Sequence, residues 1–178
     1  FNPQSNKNIS NEERLIDYSN IYSIDRLSSS TTLEGGESIT IGNEFKLYNN
    51  IDKSSEVFSL NLAGSFRADE NFDLPKSSYI SPKTSNLVGE SKIKLNEFFD
   101  LEYDFLSDNN LGQFHYHNIN SKIKINNFVS TFEFIEEGDQ IGNTHFIANE
   151  TSFKFDDTKN LKFRTRKNKK TDLTEYYN

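Results

Sequence analysis

The sequence predicts an all-β fold, an antiparallel meander of about eight long strands that forms part of a larger transmembrane outer-membrane β-barrel. Apolar and polar residues alternate with a period of two along most of the chain, and the helical period is almost absent. The alternating segments run to about ten to fourteen residues, whereas about five or six are usual in globular domains and about nine to eleven cross a bilayer. Short and longer polar connections alternate between them, which is typical of an outer-membrane barrel.

The predicted strands are joined by polar turns, where a hairpin is the simplest connection. The first two strands are 37–48 and 56–67. The third and fourth flank Asn96-Glu97, the fifth and sixth flank Asn126-Asn127, and the seventh and eighth flank the sequence DDTKN. The final residues, TDLTEYYN, are typical of the start of one more strand.

Each predicted strand has one apolar face and one charged face, and a charged face suits a water-filled lumen. We expect one face of a curved sheet to carry Ile39, Ile41, Phe45, Leu60, Leu62, Ile93, Leu95, Leu101, Tyr103, Phe132, Phe134, Phe153 and Phe163. We expect the other face to carry Glu44, Arg67, Lys92, Glu102, Lys154 and Arg164. Periodicity does not say which face is inside, so a soluble barrel with an apolar interior remains an alternative.

One segment, GQFHYHNINSKIKIN, breaks the alternation. Phe114 and Tyr116 stand at even positions, whereas Ile119 and Ile123 stand at odd positions. Either a bulge shifts the phase near Asn118, or the upper part of the strand stands above the lipid.

Composition narrows the function classes. The 178 residues include sixteen Phe and eight Tyr, which is more aromatic surface than a disordered chain carries. The net charge of −7 argues against a general nucleic-acid binder, and the absence of cysteine excludes disulfides and thiol catalysis. Because the chain opens with Phe1 and has no methionine, we expect it to be a piece of a longer protein.

Residues that carry catalysis or bind metals are scarce. His115 and His117 share a strand face without a third ligand at a recognisable spacing, so surface or lumen histidines are the favoured interpretation. The carboxylate pairs Glu136-Glu137 and Asp156-Asp157 lie in turns, where such residues serve backbone geometry. The sequence therefore predicts no enzyme, no metal site and no cofactor.

A basic patch is predicted on the eighth strand. Lys162, Arg164 and Arg166 alternate with Leu161 and Phe163, so the three cations share the charged face. A solvated strand end is the favoured interpretation. The alternative is a site for the phosphate groups of an anionic lipid or sugar.

Two segments carry a resemblance to a known family. The first, IYSIDRLSSSTTLEGGESITIG, has Asp25-Arg26-Leu27-Ser28, then Glu34, Gly35 and Gly36, and Gly42 in the following strand. It resembles a loop-to-strand signature of the outer-membrane lipopolysaccharide-assembly proteins, although SSSTTLE replaces the G-x-D-R that precedes the glutamate there. The second, LKFRTRKNKKTDLTEYYN, is similar to a later segment of that family, with matches at Thr171, Glu175, Tyr176, Tyr177 and Asn178.

The resemblance implies an internal fragment of a large barrel in the bacterial outer membrane. Residues 1–36 would be a polar N-terminal segment and extracellular loop, and 37–178 a barrel wall that is incomplete at both ends. The family is a translocon that inserts lipopolysaccharide into the outer leaflet. Its partners are lipopolysaccharide, outer-membrane lipid, a lipoprotein plug and a periplasmic bridge protein that delivers the lipid, with no nucleic acid. A porin-like or other outer-membrane channel is the first alternative, and a soluble ligand-binding β-barrel is the second.

The resemblance also gives the first loop a function, which is to cover the lumen. Arg26 can make bidentate hydrogen bonds to a carboxylate, and Asp25 and Glu34 flank it in the sequence. The Gly35-Gly36 pair allows the tight return that such a contact needs. The alternative is that Arg26 faces water.

Overall fold

The described part of the chain forms one antiparallel sheet of nine strands in chain order. The computed structural model describes residues 15–26, 34–51, 54–75, 78–80, 83–138, 144–156 and 158–177, with only the backbone for Tyr176 and Tyr177. The sheet is a meander, in which every strand pairs with the next one along the chain, and it does not close on itself. The predicted all-β meander is confirmed, with nine strands where about eight were expected.

The strand bounds agree closely with the alternation of the sequence. The strands are β1 (Ser38–Tyr48), β2 (Glu56–Arg67), β3 (Leu87–Leu95), β4 (Phe99–Ser107), β5 (Phe114–Ile125), β6 (Phe128–Glu137), β7 (His145–Lys154), β8 (Asn160–Asn168) and β9 (Leu173–Tyr177). No described residue is α-helical. Among the described residues, therefore, no helical segment has the length and apolar character that crossing a membrane requires.

The short turns form where the sequence predicts them. Asn96 and Asn126 adopt positive φ angles of 58° and 51°, a conformation that asparagine tolerates better than most residues. In the turn before β8, the Asp156 carboxylate accepts hydrogen bonds from the backbone N–H groups of Thr158 (2.8 Å) and Lys159 (2.9 Å). A hydrogen bond from the Thr158 hydroxyl is the main reason that the pKa of Asp156 is lowered.

The strand register confirms the two predicted faces. Residues that face each other on neighbouring strands point to the same side, and Phe58 faces Ile93, which faces Leu101. The pairing of the other strands places all members of the predicted apolar set on one side of the sheet and the predicted charged set on the other side. The apolar side is open to solvent: Ile39 is 62% exposed, Ile41 is 59% exposed and Leu161 is 62% exposed.

The sheet is concave on its charged side, because one groove there contacts residues of the five neighbouring strands β4 to β8. A groove of about 800 Å³ lies over it towards the short turns, and a second of about 600 Å³ lies nearer the longer connections. The first is lined mainly by charged-side residues of β4 to β8, and the second by charged-side residues together with the segment 15–19.

A β-bulge explains one part of the break in the alternation of β5, because it brings Phe114 onto the apolar side. Tyr116 follows the bulge and lies on the charged side, opposite Leu106, where it packs against the buried cluster. Leu106 pairs with Tyr116 and Ser107 pairs with Phe114, so His115 is the extra residue. The bulge lies three residues before the predicted position at Asn118. Above it, Phe114 packs edge-on against Phe105 and stacks on His117, at ring-centroid distances of 5.5 and 5.2 Å.

The buried apolar cluster lies on the charged side, at the end with the longer connections. Two loop segments cover this end of the sheet. The cluster consists of Ile16 and Ile21 from one segment, Leu74 and Ile80 from the other, and Ala63, Val88 and Leu106 from β2, β3 and β4. The hydrophobic core is therefore made between the loops and the sheet, and not by closing the apolar sheet face on itself.

Candidate functional site

The candidate site is the covered end of the concave face, where residues 15–26 cross the sheet. We call these residues the strap. The Ile16 N–H donates to the Ser78 carbonyl (3.1 Å), which joins the strap to the second covering loop. The Thr40 hydroxyl of β1 donates to the Ile21 carbonyl (3.1 Å) and holds the strap against the sheet.

The strap has its own local fold. The Asp17 carboxylate accepts hydrogen bonds from the backbone N–H groups of Ser19 (2.8 Å) and Asn20 (2.9 Å), which closes a turn. The Asn20 amide donates in return to the Leu15 carbonyl (2.8 Å), and Asn20 is buried. This turn places Ile16 and Ile21 side by side on the cluster.

A buried ionic network closes the strap. Arg26 is 1% exposed and Glu34 is 2% exposed. The Arg26 guanidinium donates to both oxygens of the Glu34 carboxylate, with Nε at 3.1 Å from Oε2, and the Arg26 backbone N–H adds a third donor at 3.2 Å. Arg67 of β2 also donates to Glu34. Two arginines therefore share one carboxylate away from water.

The predicted loop residues around this network are brought together. The Asp25 carboxylate accepts the Glu34 backbone N–H at 3.3 Å, and Arg67 also donates to the Gly35 carbonyl. Gly36 has φ +94°, and a Cβ there would be 2.9 Å from the Arg67 guanidinium. Glycine at position 36 is thus required twice, by the backbone angle and by the close approach.

Gly42 of β1 leaves the space in which Tyr22 of the strap packs against the sheet. A Cβ on Gly42 would overlap the Tyr22 hydroxyl and would be 3.0 Å from the Leu62 carbonyl oxygen. Tyr22 also packs edge-on against Tyr18, with ring centroids 5.5 Å apart. A hydrogen bond to Tyr22 is the main cause that raises the pKa of Tyr18 to about 12, and burial and the Glu44 carboxylate add to it.

The cations of the basic patch on β8 are paired with carboxylates. Lys162 and Arg164 both pair with Glu150 of β7. Arg166 pairs with Glu175 of β9 at 2.9 Å, and its guanidinium lies 3.9 Å from the centroid of the Phe146 ring. The three cations share the charged face as predicted, and each has an acidic partner on a neighbouring strand.

The second family segment forms the last turn and strand. Thr171 lies in the turn, where its N–H donates to the Asn168 side chain at 3.1 Å, and Glu175 provides the contact to Arg166. Tyr176 and Tyr177 lie in β9, and their backbones pair with Arg166 and Thr165. Asn178 and the Leu27-Ser28 match lie outside the described residues.

The two histidines of β5 have different environments. His115 is 2.7 Å from the Asp108 carboxylate and packs on Tyr79. His117 is 2.8 Å from the Tyr103 hydroxyl, on the apolar side. Among the described residues, no group of three or more His, Asp or Glu side chains is arranged to hold a metal ion.

Sequence reasoning missed two members of the site. Arg67 was predicted only as a charged-face residue, and Ser65, which accepts a hydrogen bond from Arg26, was not singled out. A usable signal was present, because Ala63, Val88 and Leu106 are apolar residues on the charged face at one end of the sheet. Apolar residues on a polar face mark the place where that face is covered.

Comparison with known proteins adds no family. No protein-family model matches the chain, and no curated protein sequence matches it significantly. Functional conclusions therefore rest on the geometry of the sheet and on the sequence resemblance.

Proposed function

We propose that the chain is part of the wall of a bacterial outer-membrane β-barrel that inserts lipopolysaccharide into the outer leaflet. The observation that carries the membrane part is the exposed apolar face opposite a charged concave face. Phe45, Phe132 and Phe163, on three different strands, are 49%, 37% and 48% exposed on the convex side. An apolar surface of this extent is unfavourable in water and favourable in lipid.

Strand length supports a membrane-spanning wall. β6 has ten residues. At about 3.3 Å per residue it is roughly 33 Å long, and a tilt of about 40° would give it a height of about 25 Å, the usual apolar band of such barrels.

Aromatic residues at both ends of the convex face support the same placement. Tyr103, Phe105 and Phe114 lie together near the longer connections. Near the short turns, Phe153 is 40% exposed and packs edge-on against Phe155, which is 61% exposed. Two aromatic girdles are typical of the two interfaces of an outer-membrane barrel.

The choice of lipopolysaccharide as the substrate rests on a resemblance to the assembly family. The loop around Arg26 and the segment around Glu175 carry this resemblance. The resemblance implies three further partners, which are a lipoprotein plug, outer-membrane lipid and a periplasmic bridge protein. Such a translocon makes and breaks no covalent bond, because the lipid moves along a polar route. The proposal therefore includes no catalytic residue and no cofactor.

Depletion of the full-length protein in its source bacterium tests this proposal. We expect surface lipopolysaccharide to fall and permeability to large antibiotics to rise. A porin-like channel would instead lose uptake of small solutes with surface lipopolysaccharide unchanged, and this result would refute the translocon. Solubility of the full-length protein as a monomer without detergent would refute the membrane barrel.

A further inference from the structure

We propose that the strap is a lid over the longer-connection end of the lumen, and that Glu34 is its latch. Arg26 belongs to the strap and Arg67 belongs to β2, so the carboxylate of Glu34 joins a covering segment to the wall. The inference rests on the proposed function only in taking the concave face as the lumen. It assigns the covered end a closed state that polar solutes do not cross, and an open state that follows release of Glu34.

Apolar contact alone holds the strap weakly. Ile16 and Ile21 are buried against the sheet, whereas Tyr22 is 50% exposed and Ile24 is 74% exposed. Asp17 and Ser19 are exposed as well. Leu15 and Tyr18 add contacts to the cluster as partly buried side chains, so the apolar anchors lie in the first half of the strap. The ionic network holds the other end, at Arg26.

The ionic network depends most on one side chain, that of Glu34. Loss of Arg26 leaves Glu34 paired with Arg67, and loss of Arg67 leaves it paired with Arg26. Loss of the Glu34 charge leaves two buried guanidinium groups without the carboxylate that they share. Glu34 is therefore the residue whose change should release the strap most completely.

The test uses a single-cysteine reporter, because the chain has no cysteine of its own. Ala63→Cys, a small buried position of β2 in the apolar cluster under the strap, is introduced into the full-length protein, with any other cysteine replaced. The rate of labelling by a water-soluble maleimide is then measured in the membrane. The variant is Glu34→Gln. The matched control is Glu37→Gln, which makes the same chemical change at an exposed position three residues away.

We expect Glu34→Gln to speed labelling of position 63 by roughly 10- to 100-fold, and Glu37→Gln to leave it unchanged. A second reporter, Phe146→Cys, lies in β7 against Arg166 and away from the strap, and we expect it to stay protected. Equal labelling in the two glutamine variants would overturn the latch. Increased labelling at both reporters would also overturn it, because the whole sheet would then have opened.

The outcome is separable from that of the proposed function. Labelling needs no lipid transport, so an unchanged rate refutes the latch even if depletion lowers surface lipopolysaccharide. Accelerated labelling supports the latch even if the transported molecule proves to be a different one.

Discussion

Removal of the strap arginine gives the sharpest energetic test of the buried network. Arg26 donates to both Glu34 oxygens and to Ser65, and all three residues are buried. Loss of one partner from a buried ion pair costs about 3 to 5 kcal/mol. Because Arg67 still neutralises Glu34, we expect Arg26→Ala to cost about 3 kcal/mol, at the low end of that range. Arg26→Lys should recover only part, since an ammonium cannot donate bidentately.

The two arginines should be strongly coupled. After either single change, Glu34 keeps one cation, whereas Arg26→Ala with Arg67→Ala leaves a buried carboxylate without either guanidinium group. We therefore expect the double variant to cost more than the sum of the single variants, by about 1 to 3 kcal/mol.

Hydrogen exchange of the strap measures these costs locally. The Ile16 N–H donates to Ser78 of the second covering loop, so its exchange reports opening of the strap. The Ile21 N–H donates to Asp17 within the strap and reports the turn itself. The full-length protein and its variants are compared in lipid vesicles. Unchanged exchange in Arg26→Ala, or costs that add within error in the double variant, would refute the shared-carboxylate argument.

Three further predictions test other contacts. Gly42→Ala should lower the free energy of unfolding by about 1 to 2 kcal/mol through overpacking, and Tyr22→Ala should partly restore it. A double-mutant cycle in vesicles measures this coupling, and independent effects would contradict the contact between Gly42 and Tyr22. The pKa of Tyr18 is raised to about 12 in the folded protein, so its contribution to stability is full below pH 10 and is lost as the pH rises through 12. Tyr18→Phe should flatten this loss of stability in alkaline unfolding curves, and identical curves for the two proteins would contradict the prediction. Phe132→Lys on the convex face should cost about 2 to 4 kcal/mol in vesicles, whereas Thr131→Lys beside it should cost less than about 1; equal costs would argue against a lipid-facing convex side.

Much of the sheet was predictable because its signals are local. Alternation over a few residues fixes which side chains share a face, since successive residues of a strand point in opposite directions. The asparagines at positions 96 and 126 marked two tight turns for the same reason. The position of the bulge was less predictable, because the extra residue is identified only by the strand opposite it.

Sequence alone determined the strands, their turns, the two faces and the absence of cysteine chemistry. Only the tertiary structure decided that the charged face is concave, because alternation is identical for either direction of curvature. It also decided that Arg26 is buried with Glu34 and Arg67, although Glu34 and Arg67 are 33 residues apart in the chain. It decided as well that Glu150 pairs with Lys162 and Arg164 of β8. Such contacts depend on which distant segments fold onto the sheet, and the free energy of burying a charge depends on that whole environment.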